Sequence, residues 1–383
     1  MATVAVRPPQ REPVRAVHRT PAAGSGRGSL GCRAVDPAFR FLSDDVPDEL
    51  LALGDRALLR ELARPTLVRV PGTGAQPPRA VVTLLHGDES TGPQAMLRVL
   101  RHRRRVAAAP LPFDLYVVFG NVEAALHGPG FAHRFLDDQE DFNRVWGLPA
   151  TTPQRRAAAG ILAELRAAGL ESVVDVHNNT GDNPFYAIVT RLTPETLNLA
   201  TLFTTTLLRW DLQAATLMEA LHDDCATIAV ECGLPGRPES LAFAVDALRR
   251  YLGEGPLPTD RVVRDLDLLG ELRKVTVRPD VRFRFGGDLA PDTDLVLEAD
   301  ADVHNFVAVD AGHVLGRTRD GAPLPVCARA ADGRDVTDEH FAVVEGRLVV
   351  TRPSTPVMMT RTVEATRKDC LFYLASALPP PVV

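Results

Sequence analysis

Several features are scarce in this sequence of 383 residues, and each scarcity excludes a class of protein. Aromatic residues make up only 5% and the formal net charge is −6, which argues against the basic, aromatic surfaces that bind nucleic acids. No hydrophobic run approaches the roughly 18 residues of a membrane span. The five cysteines include no CxxC pair, which disfavours a disulfide framework or a cysteine zinc site. We therefore expect a cytoplasmic protein without nucleic-acid or membrane partners, and the sequence leaves open a homo-oligomer.

The composition divides the chain into three regions. Residues 1–33 are rich in arginine, proline and glycine and predict a disordered extension; the alternative is a transit peptide, which the prolines disfavour. Residues 34–258 alternate hydrophobic strands with helices and predict an α/β catalytic domain with a mainly parallel sheet and helices on both faces. Residues 259–383 contain short strands between turn residues and predict a small C-terminal all-β barrel or sandwich domain.

The α/β region has a regular order of predicted elements. Hydrophobic runs predict strands at 80–85, 115–120, 172–176, 185–190 and 226–231. Helical patterns cover 92–106, 153–169, 193–210 and 238–252. Ligands of open parallel sheets bind at the carboxyl ends of the strands. Four of these strand ends carry a polar residue, namely His86, Asn121, His177 and Glu231.

Three of the residues near these strand ends are candidate metal ligands. His86 and Glu89 are three residues apart in a turn that leaves a strand, and His177 directly follows another strand. Two imidazoles and one carboxylate suit Zn²⁺ and leave a position for water, as in catalytic zinc sites. By themselves, His86 and Glu89 also fit a strand-end histidine beside a solvated glutamate. His177 favours the metal interpretation, with one zinc ion per chain.

Other polar residues suggest catalysis and substrate binding. Glu231 ends a hydrophobic strand, where a carboxylate beside zinc can take a proton from water and pass it to a leaving nitrogen. The alternative is a salt-bridged carboxylate at a strand end. The loop 131–147 contains Arg134, Asn143 and Arg144, and arginine binds carboxylates through paired hydrogen bonds. An ordinary surface loop is the alternative there.

Taken together, the motifs resemble a known family. HGDESTG, DFNRVWG, DVHNNTG and AVECG occur in the same order as in the aspartoacylase/succinylglutamate desuccinylase family of the zinc-carboxypeptidase superfamily. The resemblance covers about residues 80–240, and the β-rich segment fits the family's C-terminal barrel domain. It implies a zinc-carboxypeptidase-like fold and a zinc-dependent amidohydrolase, or deacylase. The implied substrate is a small N-acyl amino acid or related compound with a free carboxylate.

The resemblance also implies a role for each matching residue. The implied zinc ligands are His86, Glu89 and His177. Glu231 matches the general acid/base glutamate. Asn143 and Arg144 match the pair that binds the substrate's α-carboxylate, and Arg134 matches the arginine that stabilises the oxyanion. Asp175, just before His177, is a candidate for orienting that imidazole through its outer nitrogen; the alternative is an ordinary polar residue inside the strand.

The segment before Glu231 departs from the family pattern. Relatives that act on acidic substrates have an arginine shortly before the catalytic glutamate, whereas this segment contains three acids, Glu219, Asp223 and Asp224. The nearest upstream arginine is Arg209. If the acids face the pocket, they repel a second substrate carboxylate. We therefore expect substrates with a neutral or basic side chain.

Two other functions remain open from the sequence. One is a zinc metallocarboxypeptidase that acts on short peptides, because the same residues serve that reaction. The other is a non-catalytic, metal-free binding protein on the same fold. In some relatives the barrel domain supplies a tyrosine to the site, and Tyr373 and the Asn305–Phe306 turn are the candidates here.

Overall fold

The computed structural model describes residues 38–260 and 265–379, so the extension predicted for residues 1–33 lies outside the described residues. The strands are β1 (Arg40–Leu42), β2 (Thr66–Val70), β3 (Arg79–Thr83), β4 (Leu115–Phe119), β5 (Ser172–His177), β6 (Tyr186–Val189), β7 (Thr206–Arg209), β8 (Ala226–Glu231), β9 (Asp267–Val277), β10 (Phe283–Phe285), β11 (Leu295–Leu297), β12 (Val314–Thr318), β13 (Val326–Arg329), β14 (Phe341–Val344), β15 (Arg347–Val350), β16 (Thr355–Val357) and β17 (Phe372–Ala377). The α-helices are α1 (Asp48–Leu51), α2 (Asp55–Leu62), α3 (Thr91–Arg105), α4 (Val122–Leu126), α5 (Pro153–Ala168), α6 (Pro194–Thr201), α7 (Leu217–Leu221), α8 (Pro238–Gly253), α9 (Thr337–His340) and α10 (Val363–Lys368). Short 3-10 helices span Phe142–Arg144 and Ala301–His304.

The larger sheet is built around four mutually parallel strands in the order β4-β3-β5-β8. Beyond β8, the neighbouring strand β6 is antiparallel, and β6, β7 and β9 then run parallel to one another. The expected mainly parallel sheet is therefore a mixed sheet. The connection 178–185 between β5 and β6 is too short for a parallel crossover, which needs about a dozen residues, so β6 runs back in the opposite direction.

Helices cover both faces of this sheet, as predicted. Val81 of β3 packs into a core cluster with α3, α6 and α8, whereas its neighbours Ala80 and Val82 pack into a second cluster with α5. The division follows from the alternation of side chains along a strand, which point to opposite faces. Within residues 38–260 and 265–379, no helix is long and apolar enough to cross a membrane.

The helix predicted over residues 153–169 is confirmed as α5. Thr152 caps its amino end by accepting a hydrogen bond from the backbone N–H of Arg155, and Pro153 occupies the first turn. Gly169 follows the last residue in a left-handed conformation, with φ of 67°. Proline at the start and glycine just past the end are the residues that these backbone positions favour.

The helix predicted for residues 193–210 is wrong in its second half. Thr193 caps a helix as expected, but α6 ends at Thr201 and residues Thr206–Arg209 form strand β7. β7 lies between β6 and β9, which satisfy its backbone hydrogen bonds on both sides. Pairing with β9, which is distant in sequence, therefore outweighs the local preference of these residues for a helix.

The strands after residue 265 form two groups. β9 pairs with β7, β13 and β17, and β17 pairs with β16, so these strands extend the larger sheet. Strands β10, β11, β12, β15 and β14 form a second sheet in that order. A separate core cluster contains residues of both groups, including Val275, Leu297, Leu348 and Phe372. The region is β-rich as predicted. A separate barrel or sandwich domain with a boundary between residues 258 and 259 stays a prediction.

A fully buried arginine ties the start of β3 to the end of α8. Arg79 donates hydrogen bonds to Glu171 Oε2 at 2.7 Å, to the carbonyl of Tyr251 at 2.7 Å and to the carbonyl of Glu254 at 3.1 Å. Its guanidinium carbon lies 4.4 Å from the centre of the Phe113 ring. The charge is therefore paired and hydrogen-bonded, as a buried charge must be.

Candidate active site

The carboxyl ends of the parallel strands bring the predicted site residues together. His177 is the last residue of β5 and is paired in register with Glu231, the last residue of β8. His86 follows β3 after a tight turn in which Leu84 has a φ of 63°. The backbone N–H of Asn121 donates to the carbonyl of Leu84 at 2.6 Å, which fixes this unfavourable conformation. Gly87 is required in the turn, because a Cβ there would lie 2.6 Å from Ala124 Cβ.

His86, Glu89 and His177 form a convergent set of potential metal ligands. All three side chains are buried, and one potential ligand atom from each lies within 4.8 Å of the others. Nδ1 of His86 lies 2.6 Å from Glu89 Oε1, and Nδ1 of His177 lies 2.9 Å from Glu89 Oε2. Two imidazole nitrogens and a carboxylate therefore face one point, which is a donor set that suits Zn²⁺.

A carboxylate also lies close to the outer nitrogen, Nε2, of each imidazole. Nε2 of His86 lies 3.1 Å from Asp141 Oδ1, and Nε2 of His177 lies 2.9 Å from Asp175 Oδ2. Histidines that bind metals usually have such a carboxylate at their outer nitrogen, where it fixes the ring orientation. The position of Asp175 agrees with the orienting role expected for it, whereas Asp141 was not predicted as part of the site.

The electrostatics of this set favour a bound cation. Burial opposes protonation of His177, but the nearby carboxylates of Asp175 and Glu89 raise its pKa well above the usual value. Burial likewise opposes ionisation of Glu89, but His86 and His177 lower its pKa. The carboxylates thus favour positive charge on the groups that face them. A divalent cation is attracted by the same negative charge, and its binding requires the imidazoles in their neutral form.

Glu231 lies beside this set in a different environment. Its carboxylate is buried, and burial raises its pKa to about 7. The side-chain amide of Asn179 lies 3.3 Å from Glu231 Oε2. A carboxyl group that changes protonation near neutral pH is suited to accept and release a proton during a reaction.

The loop before α5 brings the predicted substrate-binding residues to the same cavity. Asp141 accepts hydrogen bonds from the backbone N–H of Asn143 at 2.9 Å and from Nε and Nη2 of Arg134 at 3.2 Å. Arg134, Asn143 and Arg144 all line the cavity. Among the described residues, the buried Oδ1 of Asn143 has no hydrogen-bond partner. Asp141 therefore connects the orientation of Arg134 and the loop to that of His86.

Asp369 is a charged residue of the site that the sequence did not indicate. Its carboxylate lies 2.8 Å from Lys274 Nζ, 3.5 Å from Arg144 Nη2 and 3.9 Å from Arg134 Nη2. Burial opposes its ionisation, but these three cations lower its pKa to about 2. The contacts join β9, the loop before α5 and the segment before β17, which are far apart in sequence.

These residues line one cavity of about 350 Å³. Its lining includes the metal set, Glu231 and the arginines. Other lining residues belong to one hydrophobic cluster, and we call them the apolar wall: Ile188, Trp210, Met218, Ala229, Met358 and Tyr373. Of the candidates from the β-rich segment, Tyr373 lines the cavity. Asn305 instead donates to the carbonyl of Met359 at 3.1 Å, and Phe306 packs on Tyr186.

The three acids before Glu231 do not line this cavity. The repulsion of a second substrate carboxylate, which was expected if they faced the pocket, therefore has no basis in their positions. Glu219 accepts hydrogen bonds from Trp210 Nε1 at 2.9 Å and from backbone N–H groups at the start of α7. Asp223 pairs with Arg191, and Asp224 pairs with Arg166. Arg209 is exposed on β7 and does not line the cavity. Of these residues and Met218 on the short helix α7, only Met218 lines the cavity.

Comparisons with known proteins identify the fold. No protein-family model and no curated protein matches the chain. Succinylglutamate desuccinylase from Chromobacterium violaceum is 16% identical, with a TM-score of 0.52 over 82% of this chain and 89% of its own. The desuccinylase from Vibrio parahaemolyticus is 15% identical, with a TM-score of 0.52 over 82% and 86%. A succinylglutamate desuccinylase/aspartoacylase structure from Rhodobacter sphaeroides is 14% identical, with a TM-score of 0.51 over 82% and 89%.

At this level of identity the likeness establishes the fold. The chain has an α/β fold with a large sheet, shared with structures named for the family that the sequence motifs indicate. The resemblance inferred from the motifs is confirmed in this respect. The match extends over the β-rich segment, since it covers 82% of the chain.

Proposed function

We propose that the chain is a zinc-dependent amidohydrolase of the aspartoacylase/succinylglutamate desuccinylase kind, which cleaves the amide bond of a small N-acyl amino acid. The observation that carries the proposal is the convergence in one cavity of the His86, Glu89 and His177 donor set with Glu231 and two arginines. Zinc ligation, the catalytic roles and the substrate class are parts of this proposal. The cytoplasmic location, the absence of nucleic-acid and membrane partners, and a homo-oligomer stay predictions.

His86, Glu89 and His177 would hold the metal, because their donor atoms face one point and a carboxylate lies beside the outer nitrogen of each imidazole. When bound, Zn²⁺ acts as a Lewis acid that polarises a carbonyl and lowers the pKa of water. Glu231 takes a proton from the attacking water, whose oxygen bonds to the amide carbon. The carbon–nitrogen bond then breaks, and Glu231 passes the proton to the departing nitrogen. The products are a carboxylate and an amine.

The arginines and Asn143 position the substrate and stabilise charge. Arg144 pairs with the substrate's α-carboxylate, and the free Oδ1 of Asn143 lies on the same loop to accept a hydrogen bond from the substrate. Arg134, held by Asp141, donates to the carbonyl oxygen as negative charge develops there. Fixing the carboxylate places the amide beside Glu231, which makes the attack effectively intramolecular.

The test is a substrate screen on zinc-loaded protein. A panel of N-acetyl and N-succinyl amino acids is compared with dipeptides and tripeptides, and products are identified by mass spectrometry. Hydrolysis of N-acyl amino acids with little cleavage of peptides supports the proposal. Preferential release of carboxy-terminal residues from peptides would instead identify a metallocarboxypeptidase. Tight binding of a panel member without turnover, by protein that contains no metal, would identify a binding protein.

A further inference from the structure

The cavity contains lining residues that no proposed catalytic role uses. These are the residues of the apolar wall defined above, which line the same cavity as the metal set and the arginines. We infer that this wall is a subsite for an apolar amino-acid side chain, so that the preferred substrates are N-acyl derivatives of apolar amino acids. The inference rests on the proposed function, and it narrows the neutral or basic side chains expected from the sequence.

Strand geometry places the wall at the right distance from the reaction. Ala229 lies two residues before Glu231 on β8, and Ile188 of β6 is paired directly opposite Ala229. Residues two apart on a strand point to the same face and lie about 6.6 Å apart. This distance is close to the length of an amino-acid side chain. With the amide beside Glu231, a side chain directed along β8 therefore reaches Ala229 and Ile188.

Trp210 is held rigidly in the wall. Its Nε1 donates to Glu219 Oε1 at 2.9 Å, and its ring packs edge-on against Tyr373 with the ring centres 5.6 Å apart. Met218 comes from the same short helix as Glu219, and both Trp210 and Met218 are buried although they line the cavity. Glu219 was expected to repel a substrate carboxylate if it faced the pocket. It instead orients Trp210, a residue of the apolar wall.

Charged side chains are absent from the stretch of the lining that contributes half of the wall, namely Ile188, Trp210 and Met218. The cavity residues between 183 and 218 are Asn183, Ile188, Trp210, Thr216 and Met218. None of these described residues can neutralise a substrate's second carboxylate or its ammonium group. Against these residues, either charge would lose its hydration without gaining a partner from them, which is unfavourable. Apolar groups gain from the same contact, because their surface is removed from water.

The wall adjoins the carboxylate-binding end of the cavity. Asp369 contacts Arg144, and Tyr373 lies four residues further along the same segment, paired with Val357 next to Met358. The α-carboxylate and the side chain of an amino acid leave the same Cα atom. A substrate whose carboxylate pairs with Arg144 therefore presents its side chain, rather than its acyl group, to the neighbouring wall.

The test measures kcat/KM of the zinc-loaded, full-length protein for N-acetyl derivatives of leucine, asparagine, aspartate and lysine. Leucine and asparagine have side chains of similar size, so their comparison isolates polarity. We expect N-acetyl-leucine to exceed each of the other three by at least about tenfold. Met218→Arg places a cation in the wall and is expected to reverse the preference between leucine and aspartate, whereas Met218→Leu retains it.

A surface variant controls for added positive charge. Asp223→Arg changes the charge near the same helix but outside the cavity, and we expect kcat/KM for N-acetyl-leucine to stay within about twofold of wild type. Circular dichroism checks that Met218→Arg is folded. If it is not, calorimetric binding of N-acetyl-leucine and N-acetyl-asparagine to the Glu231→Gln variant tests the wall directly, with tighter binding of the leucine derivative expected.

The outcomes separate this inference from the proposed function. Hydrolysis with N-acetyl-aspartate, N-acetyl-asparagine or N-acetyl-lysine as the best substrate would overturn the apolar subsite and leave the amidohydrolase intact. Preferential binding of N-acetyl-leucine to Glu231→Gln, without hydrolysis of any panel member by wild type, would support the subsite and overturn the reaction. Absence of both binding and hydrolysis would overturn both.

Discussion

The carboxylate of Asp369 lies 3.5 Å from Nη2 of Arg144, so the arginine proposed to bind the substrate's carboxylate already faces a carboxylate of the chain itself. Asp369 also pairs with Lys274 at 2.8 Å. A substrate anion must therefore bind beside a fixed negative charge. This charge weakens the attraction between Arg144 and any incoming carboxylate.

Replacing Asp369 should tighten substrate binding. In Asp369→Asn, the side chain keeps its size and loses its charge, so the cations around it attract a substrate carboxylate more strongly. We expect KM to fall by about threefold to tenfold, which corresponds to roughly 0.7–1.4 kcal/mol. Asp294→Asn is the control, because Asp294 pairs with Arg282 on the second sheet outside the cavity. An unchanged or higher KM in Asp369→Asn would contradict this role.

Metal binding should depend on His177. Purified protein is expected to contain about one zinc per chain, and His177→Ala should lose it, because the two remaining ligands hold the ion poorly. Metal content by inductively coupled plasma mass spectrometry gives the answer without an activity assay. His127→Ala is the control, because His127 contacts His133 rather than the ligand set. Full activity after exhaustive chelation would rule out the zinc mechanism.

Removing the proposed proton carrier should abolish most activity and leave the metal bound. Glu231→Gln preserves the shape of the side chain and removes its basicity, so kcat should fall by about 10²–10⁴-fold. Zinc content should equal that of wild type, since Glu231 is outside the ligand set. Glu239→Gln, at an exposed residue of α8, is the control. Activity of Glu231→Gln within a few-fold of wild type would assign proton transfer to another group.

The rate of the reaction should depend on pH through the ionisation of Glu231. Its carboxylate accepts a proton only when ionised, and burial raises its pKa to about 7. Rates should therefore decline as the pH falls through the pKa of this group. A bound cation lowers that pKa, so the decline in the zinc-loaded protein is expected below pH 7. Profiles of kcat/KM from pH 5 to 9 check this, and a flat acid side would refute it.

The buried Arg79 should matter for stability rather than catalysis. Arg79→Ala leaves Glu171 without its partner and removes hydrogen bonds to the end of α8, so the free energy of unfolding should fall by about 3–5 kcal/mol. Denaturant unfolding measures the change. Arg282→Ala removes an exposed ion pair with Asp294, which solvent screens, and should lower the free energy of unfolding far less. Similar losses in the two variants would contradict the importance of burial.

The parts of the fold that the sequence predicts are those with a local cause. β3, β5 and β8 are continuous hydrophobic runs, because a central strand of a covered parallel sheet is buried on both faces. The polar residues at their ends indicate the site, because a His or Glu that follows a buried strand lies at the edge of the sheet, where ligands bind. Pro153 and Gly169 mark the two ends of α5 through their own backbone preferences.

What the sequence missed depends on contacts between distant segments. β7 is a strand because β6 and β9 flank it, and β9 begins at residue 267. Asp369 belongs to the site because β17 pairs with β9 and brings it to Arg144. The orientation of the acids around α7 depends on how one short helix packs, and no periodic pattern in five residues indicates that. Asp141 lies inside a motif, but its contact with His86 becomes visible only when the loop is folded.

The apolar wall and the reactive groups are carried by different parts of the chain. Apart from Ala229, the wall comes from β6, the segment after β7, α7 and residues 358–373, whereas the donor set and Glu231 come from the ends of β3, β5 and β8. Such a division makes the scaffold evolvable. Substitutions at Met218 or Trp210 can therefore change the substrate specificity during evolution while the proposed catalytic residues stay the same.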